Sequence, residues 1–554
     1  MALSCLYLLI ATNQPLGVNA YAPHDDTYFL RGAQAMVAGD WLGLFNQMTL
    51  IKGPGFTYFL AANHWTGLPV TLSLALVFLV SCLVLVHVLG RVGLAHPLVR
   101  LALLTALLLQ PAVMPVQIIR DSLYHSLFLL VLAGMISLAT DRGRGAAIRM
   151  ACWGLVLGLF WITREEGIWI FPALAVLVSA RLWQLRKDRS GRLPFVLAAA
   201  AYAVGAVVPT LVTSAINQRE YDTFAVQDFK SKAFQGALES LDGIVVEPDV
   251  ALAPVPNRAL DLAYDASPAM RTIKPYLEGP ETSGYLSMSC TAVPDACGSF
   301  IGGLWPWALR DAVAYAGRFT SQSDADAFFT RISSDIAKGC ERGDFKCRSS
   351  VLPLVPVVPT STLLDVPGSI WDAARLTAYG PGSYRPTAAS AGSPEEIAQF
   401  TDFVGDPPRT ASEAEGYSPT ATGWSEVRHQ LARVYSVVTP IVVLAGLVAF
   451  GTAVVRLLRR RDVGRPLLLV AAACWLLYLS RLSLVALIDV TSFPAIASSY
   501  LEPAYLVQFV AATTSLAALV SGLSADRVRT ADREPTAAPA PDMSSTQADQ
   551  GATS

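Results

Sequence analysis

Two carboxylates stand side by side at Asp25 and Asp26, directly after His24, in the stretch YAPHDDTYFLRGAQAMVAGDWLGLFNQMTLIKGPGFTYFLA that begins at Tyr21. Such a pair suits an acid/base centre or a cation site at a membrane surface. A helix N-cap accounts for one of the two, because Asp is among the best capping residues, but it does not call for both. Other charges interrupt apolar surroundings. Arg120 and Asp121 are adjacent, and Arg164, Glu165 and Glu166 crowd the sequence TREEG. The first pair also reads as a loop ion pair. The triplet carries more charge than the solubility of a tight hairpin requires. Arg481 lies deep in an apolar run, and Asp489 follows eight residues later, near the same helical face. An arginine there is costly unless it is paired, faces a wet cavity or snorkels to the interface.

These residues are spaced along a chain that reads as a membrane protein. Of 554 residues, 53% are hydrophobic and 15% charged, and the formal net charge is −2. Mean hydropathy is +0.44. Soluble domains average about 25% charged residues. The balance therefore excludes a cytosolic globular enzyme, a disordered chain and a nucleic-acid binder. Apolar runs long enough to cross a bilayer fall at 68–90, 98–116, 122–139, 147–163, 167–183, 194–216, 436–457, 466–490 and 503–522. The run at 1–12 is too short to span alone, lacks a basic leader and is read as the end of a first span, making about ten. Arg91; Arg142, Arg144 and Arg149; Arg186, Lys187, Arg189 and Arg192; and Arg459, Arg460, Arg461 and Arg465 then all share one side. That side is the cytoplasm by the positive-inside rule. The outer side receives 13–67, 117–121, 164–166, 217–435 and 491–502. Reading 147–183 as one span would bury the TREEG charges at about 2.5–3.5 kcal/mol each. Two shorter spans put them at the outer rim instead.

The segment 217–435 has no spanning run and carries 27 acidic against 18 basic residues. It reads as a soluble outer insert, helical over 306–338 and loop-rich over 350–425. The tail 524–554, with APAP and SSTQ, reads as a disordered cytoplasmic segment. Cys290, Cys297, Cys340 and Cys347 all lie in the insert, in two local pairs. An even number on an oxidising side suggests disulfides 290–297 and 340–347, one of three connectivities that four cysteines allow. The alternatives are free thiols or a zinc site, which neither CxxC spacing nor a neighbouring His supports. The six histidines show no metal-ligand spacing, although His24 beside Asp25 leaves room for a divalent cation. No Walker motif, GxSxG, or GxGxxG beside a strand is present, against ATP-driven transport, hydrolase or dinucleotide chemistry.

In order and topology the N-terminal part resembles the GT-C superfamily of membrane glycosyltransferases, such as the aminoarabinose transferases and protein O-mannosyltransferases. Their first outer loop carries an Asp-Asp or Asp-Glu pair, an interfacial helix, a Lys-Pro-Pro-type turn and a second interfacial helix. Here His24-Asp25-Asp26 and Lys52-Gly53-Pro54 stand at those places, with Gly53 where proline is usual. The resemblance covers about 200 residues and implies an all-α polytopic GT-C-like core of seven spans over 1–216, its first outer loop at 13–67. The insert 217–435, three C-terminal helices over 436–523 and the tail follow. It implies sugar transfer from a polyprenyl-phosphate carrier to a glycan, lipid or protein acceptor at the outer face of the plasma membrane. Asp25 would be the catalytic base and Asp26 its partner. Lys52, Arg164 and Arg481 would hold the donor phosphate. Arg120, Asp121, Glu165 and Glu166 would contact the substrates. No cofactor is demanded. The rivals are a lipid-linked polysaccharide polymerase or ligase, whose working charges would be arginines of the large loop, and a non-enzymatic transport or assembly protein. Few polar residues lie at mid-membrane, which counts against a transporter.

Overall fold

The computed structural model describes residues 1–14, 16–21, 23–141, 145–349, 358, 360–380, 390–408 and 419–531. Among them the regular structure is helical, and strand pairing is limited to isolated bridges such as Gly17 with Gln117. Eight helices are long and apolar enough to cross a membrane: Val70–Val92, Asp121–Thr140, Ala146–Thr163, Gly167–Lys187, Ser190–Tyr221, Gly423–Leu458, Arg465–Thr491 and Ser498–Ser524. Two shorter apolar helices, Ala2–Thr12 and Pro97–Leu108, occupy the remaining expected places. The run 98–116 does not continue as one helix. Gln110 accepts a hydrogen bond from the Ala112 amide, and Pro111 opens a single 3₁₀ turn. The protein is thus an all-α polytopic membrane protein. Val204, Leu211, Ile441, Leu444 and Val448 point outward from the bundle, where lipid would cover them.

We label the elements that build the site in chain order. Helix α1 is Asp26–Ala38 and α2 is Gly55–Thr66, both amphipathic or partly buried pieces of the first loop. Gly39 stops α1 in the left-handed region at φ 94°. Helix α3 is Asp121–Thr140 and α4 is Ala146–Thr163. The chain turns at Arg164, as the cost of burying three adjacent charges demands, and re-enters through a 3₁₀ turn at Gly167–Ile170. Arg142 and Arg144 lie outside the described residues.

The insert is helical around its own core, formed by Phe234, Leu241, Ile273, Trp305, Phe329 and Ile336 among others. Its helices next to the site are α5 (Ser283–Ala292) and α6 (Trp305–Tyr315). The expected helix over 306–338 is two helices, α6 and α7 (Gln322–Arg342), because Gly317 takes φ 71° between them. Cys290 bonds Cys297, and Cys340 bonds Cys347. Inside the stretch expected to be loop-rich, α8 (Val366–Tyr379) and α9 (Pro394–Val404) are helical, and α8 packs on the C-terminal helices. These are α10 (Pro419–Leu458), α11 (Arg465–Thr491) and α12 (Ser498–Ala531). The final helix continues past Ser524 to Ala531, and the rest of the tail, 532–554, lies outside the described residues.

Candidate functional site

Asp25 sits at the N-cap position of α1, yet its side chain makes no capping hydrogen bond. Its carboxylate, 60% exposed, pairs instead with the ammonium of Lys52, which is 8% exposed and also donates to the His24 carbonyl. Lys52 is enclosed by the faces of Phe29 and Trp307, at 5.6 and 5.8 Å. The turn Lys52-Gly53-Pro54 lies against the end of α4. A Cβ on Gly53 would run into the Ile162 carbonyl and one on Gly55 into Thr163, so neither position has room for a side chain. This is a steric reason for glycine at 53. Partial loss of water among its neighbours works against ionised Asp25, but the charge and hydrogen bond of Lys52, with Arg120 and His24, outweigh it and hold the carboxyl below its usual range. Burial and the nearby Arg120 push Lys52 down, against the pull of Asp25.

Asp26 is placed differently. It is 2% exposed and accepts from the Asn19 amide at 2.7 Å and from Gln117 Nε2 at 2.6 Å. It ties the first loop to the segment before α3 and has no open face toward a substrate. Burial raises its carboxyl to about 6 despite these two hydrogen bonds, with Asp25 adding to the rise.

Beside this lies a second set of charges. Arg120 binds Glu165 at 2.5 Å. Arg164 pairs with Asp121, lies 3.2 Å from Glu166, and is stacked over Tyr500 at 5.1 Å. Arg481 is 0% exposed, binds Glu166 at 3.1 Å and donates twice to the Tyr500 carbonyl, at 2.8 and 2.6 Å. It therefore does not snorkel; it is enclosed and spends its donors on positioning Glu166 and the start of α12. Burial opposes the charge of Glu166, but Arg164, Arg481 and Arg120 bring its carboxyl down to about 2. Asp489 does not join Arg481. It accepts from Ser369 and from the Ala495 and Ile496 amides at 2.9, 2.8 and 3.2 Å.

The fold thus brings Asp25, Lys52, Arg120, Asp121, Arg164, Glu165, Glu166 and Arg481 to one end of the bundle, the end that carries the insert. Four cations face four carboxylates, so the set is internally neutral. Lys230, exposed beside this set and donating to the Glu165 carbonyl at 3.5 Å, adds a further cation; those within the set become free only by displacing a carboxylate. Asp25 on Lys52 is the most exposed member to displace. Among the described residues, no three His, Cys, Asp or Glu side chains gather so as to hold a metal ion.

Sequence reasoning did not find several members. Tyr28, Gln117 and Tyr500 hold the site residues from three separate elements. Trp307, Tyr285 and Asp311 reach it from the insert: His24 lies tilted against Trp307, ring centroids 4.8 Å apart, and bonds the Tyr285 hydroxyl at 2.7 Å. Arg310, 1% exposed, binds Asp228 at 2.6 Å and the Gln47 carbonyl at 2.9 Å, which anchors the insert to the first loop. The one available signal was a run of aromatic and charged residues, WPWALRD, inside a polar segment.

No protein-family model matches the chain, and no curated protein matches it. Among solved structures it is similar to the one described as the crystal structure of ArnT from Cupriavidus metallidurans in the apo state. The identity is 14%, the coverage 96% of this chain and 78% of that one, and the TM-score 0.30. A likeness that loose carries no argument about chemistry, which rests on the geometry above.

Proposed function

We propose that the protein is a GT-C-type membrane glycosyltransferase that moves a sugar from a polyprenyl-phosphate donor to an acceptor hydroxyl on the outer face of the plasma membrane. The observation that carries this reading is Asp25, an exposed carboxylate held on a buried lysine at the rim of an all-helical membrane bundle. The donor phosphate displaces Asp25 from Lys52, and the same exchange frees the carboxylate to orient the acceptor hydroxyl and draw on its proton. The hydroxyl oxygen attacks the anomeric carbon, and the bond to the phosphate oxygen breaks with its electron pair on the phosphate. Lys52, and Arg120 once Glu165 yields, face the charge that grows there. Arg164 and Arg481 build this rim through Asp121 and Glu166 rather than by touching the donor. The core 1–216 supplies the chemistry, and the insert 217–435 reads the acceptor.

The test is sugar release from labelled polyprenyl-phosphate pentoses and hexoses by the purified full chain in lipid, wild type beside Asp25→Asn. A loss of ~100-fold or more in the variant is expected, the scale of a positioned acid/base group. Equal turnover by both would remove Asp25 as the base and favour the polymerase or ligase reading, in which arginines of the large loop do the work. A wild type that neither turns over nor binds any donor would leave the transport or assembly reading.

A further inference from the structure

The face of the insert that meets the first loop does not end at His24. On α6, Trp307, Asp311 and Tyr315 recur every four residues and so lie on one side of the helix. At 1.5 Å per residue the row spans about 12 Å. It starts at the site, where Trp307 lies against His24 and Lys52, and ends in the open, where Tyr315 is 61% exposed. Two further tyrosines flank it. Tyr285 of α5 donates its hydroxyl to Asp311 Oδ2 at 2.6 Å. Tyr276, on the helix Pro268–Leu277, lies against Tyr315 with ring centroids 5.3 Å apart. Asp311 and both flanking tyrosines are half-buried.

Among the described residues no lysine or arginine lies within ion-pair distance of Asp311, and Tyr285 is its hydrogen-bond donor. A carboxylate has about four acceptor positions, so most of those on Asp311 stand open beside the tyrosine rings. No group of three metal ligands gathers there among the described residues. What fits is an uncharged molecule with neighbouring hydroxyl groups and C–H faces. The hydroxyls donate to the carboxylate, and the C–H faces pack on the rings. A carbohydrate has both. A phosphorylated acceptor does not suit this row. Burial pushes the Tyr276 hydroxyl up to about 12, and the charges of Asp311 and Glu281 add to the rise, so a second carboxylate stands close by. The insert as a whole carries 27 acidic against 18 basic residues. An extended peptide would add to an open strand edge, and the regular structure here is helical.

We propose that this row seats the acceptor and that the acceptor is a neutral glycan chain. Its hydroxyls donate to Asp311, its C–H faces lie on Tyr276 and Tyr315, and its reacting end passes His24 to reach Asp25. The row is longer than one sugar ring, so it holds a chain rather than a single sugar. This rests on the glycosyl-transfer reading and leaves Asp25 as the base.

Binding is measured without donor, on the purified full chain in lipid nanodiscs. The probes are malto-, manno-, galacto- and arabino-oligosaccharides, from monosaccharide to hexamer, read by titration and saturation-transfer NMR. The expected results are affinity for at least one series that rises with chain length, and saturation strongest at ring C–H protons. Tyr315→Ala and Asp311→Asn should each weaken binding ~10-fold. Trp371→Ala, an aromatic of similar exposure on α8, is the control and should bind as wild type. With labelled polyprenyl-phosphate donor present, Tyr315→Ala should raise the KM for the glycan ~10-fold and keep kcat within about twofold, because Tyr315 holds the chain away from the reacting atoms. The proposal is overturned if no series binds, if a Ser/Thr-rich peptide binds in place of the sugars, or if Tyr315→Ala and Asp311→Asn leave sugar binding unchanged. The two readings fail separately. Asp25-dependent donor consumption with no sugar bound overturns this proposal and leaves the transfer reading. Sugar bound at the row with no donor consumed overturns the transfer reading and leaves the glycan site.

Discussion

Asp25 and Asp26 share a peptide bond and almost nothing else. One carboxylate is exposed over a lysine, and the other is sealed between Asn19 and Gln117. Sequence alone could not tell them apart, because adjacent residues at a helix start point in directions that only the packed loop defines. The difference has a pH signature. A free Asp releases its proton near 3.9, whereas Asp26 keeps its proton up to about 6. The stability this group contributes is present at low pH and is lost as pH rises through about 6, by about 3 kcal/mol. The unfolding free energy of the wild type relative to Asp26→Asn should therefore fall by about that amount between pH 4 and 7.5, measured by denaturation in detergent. A gap that does not change with pH would contradict the assignment.

At the scale of elements, the site depends on how closely the turn at 52–54 approaches the end of α4. The backbone can lie that near because Gly53 and Gly55 have no side chains. Gly53→Ala puts a methyl group into the Ile162 carbonyl, so the turn has to withdraw and take Lys52 away from Asp25. The expected cost is about 1–3 kcal/mol, the range of overpacking, with loss of donor turnover. Gly284→Ala is the control, since nothing lies within 4 Å of its added carbon, and it should stay within about 0.5 kcal/mol of wild type. Thermal unfolding of the two variants side by side checks this. The TREEG hairpin was legible at this scale, because three adjacent charges are costly at mid-membrane and a polar triplet between two apolar runs therefore marks a rim. The break after Leu108 was not, since 98–116 is apolar apart from Arg100, Thr105 and Gln110, and only Gln110, Pro111 and Pro115 hint at the turn.

For the whole molecule, the question is what ties the insert to the membrane core. Arg310 is one tie: it is almost wholly enclosed, held within the insert by Asp228 and by Phe319 at 4.7 Å, and bonded across to the Gln47 carbonyl of the first loop. Arg310→Gln leaves Asp228 buried without its cation, at a cost of about 3–5 kcal/mol. Hydrogen exchange should rise at 44–52 and around Asp228, while α11 and α12 keep their protection. If exchange rises evenly through the chain, Arg310 is a general stabiliser and not the tie.

What the sequence by itself determined was set by partition and periodicity. Long apolar runs must form helices that cross a bilayer, because hydrocarbon satisfies no backbone polar group, and eight of them do so in length and composition. The first-loop and TREEG charges could be named on the same grounds, since isolated charges beside apolar runs must lie at rims. Tertiary structure alone decided who meets whom. Arg481 and Glu166 lie 315 positions apart in the chain and His24 and Tyr285 lie 261 apart, so no local pattern records either contact. Pairing at that range depends on the packing of whole helices and of the insert, and it is this packing that leaves Asp25 open, seals Asp26 and brings Tyr285 of the insert to His24.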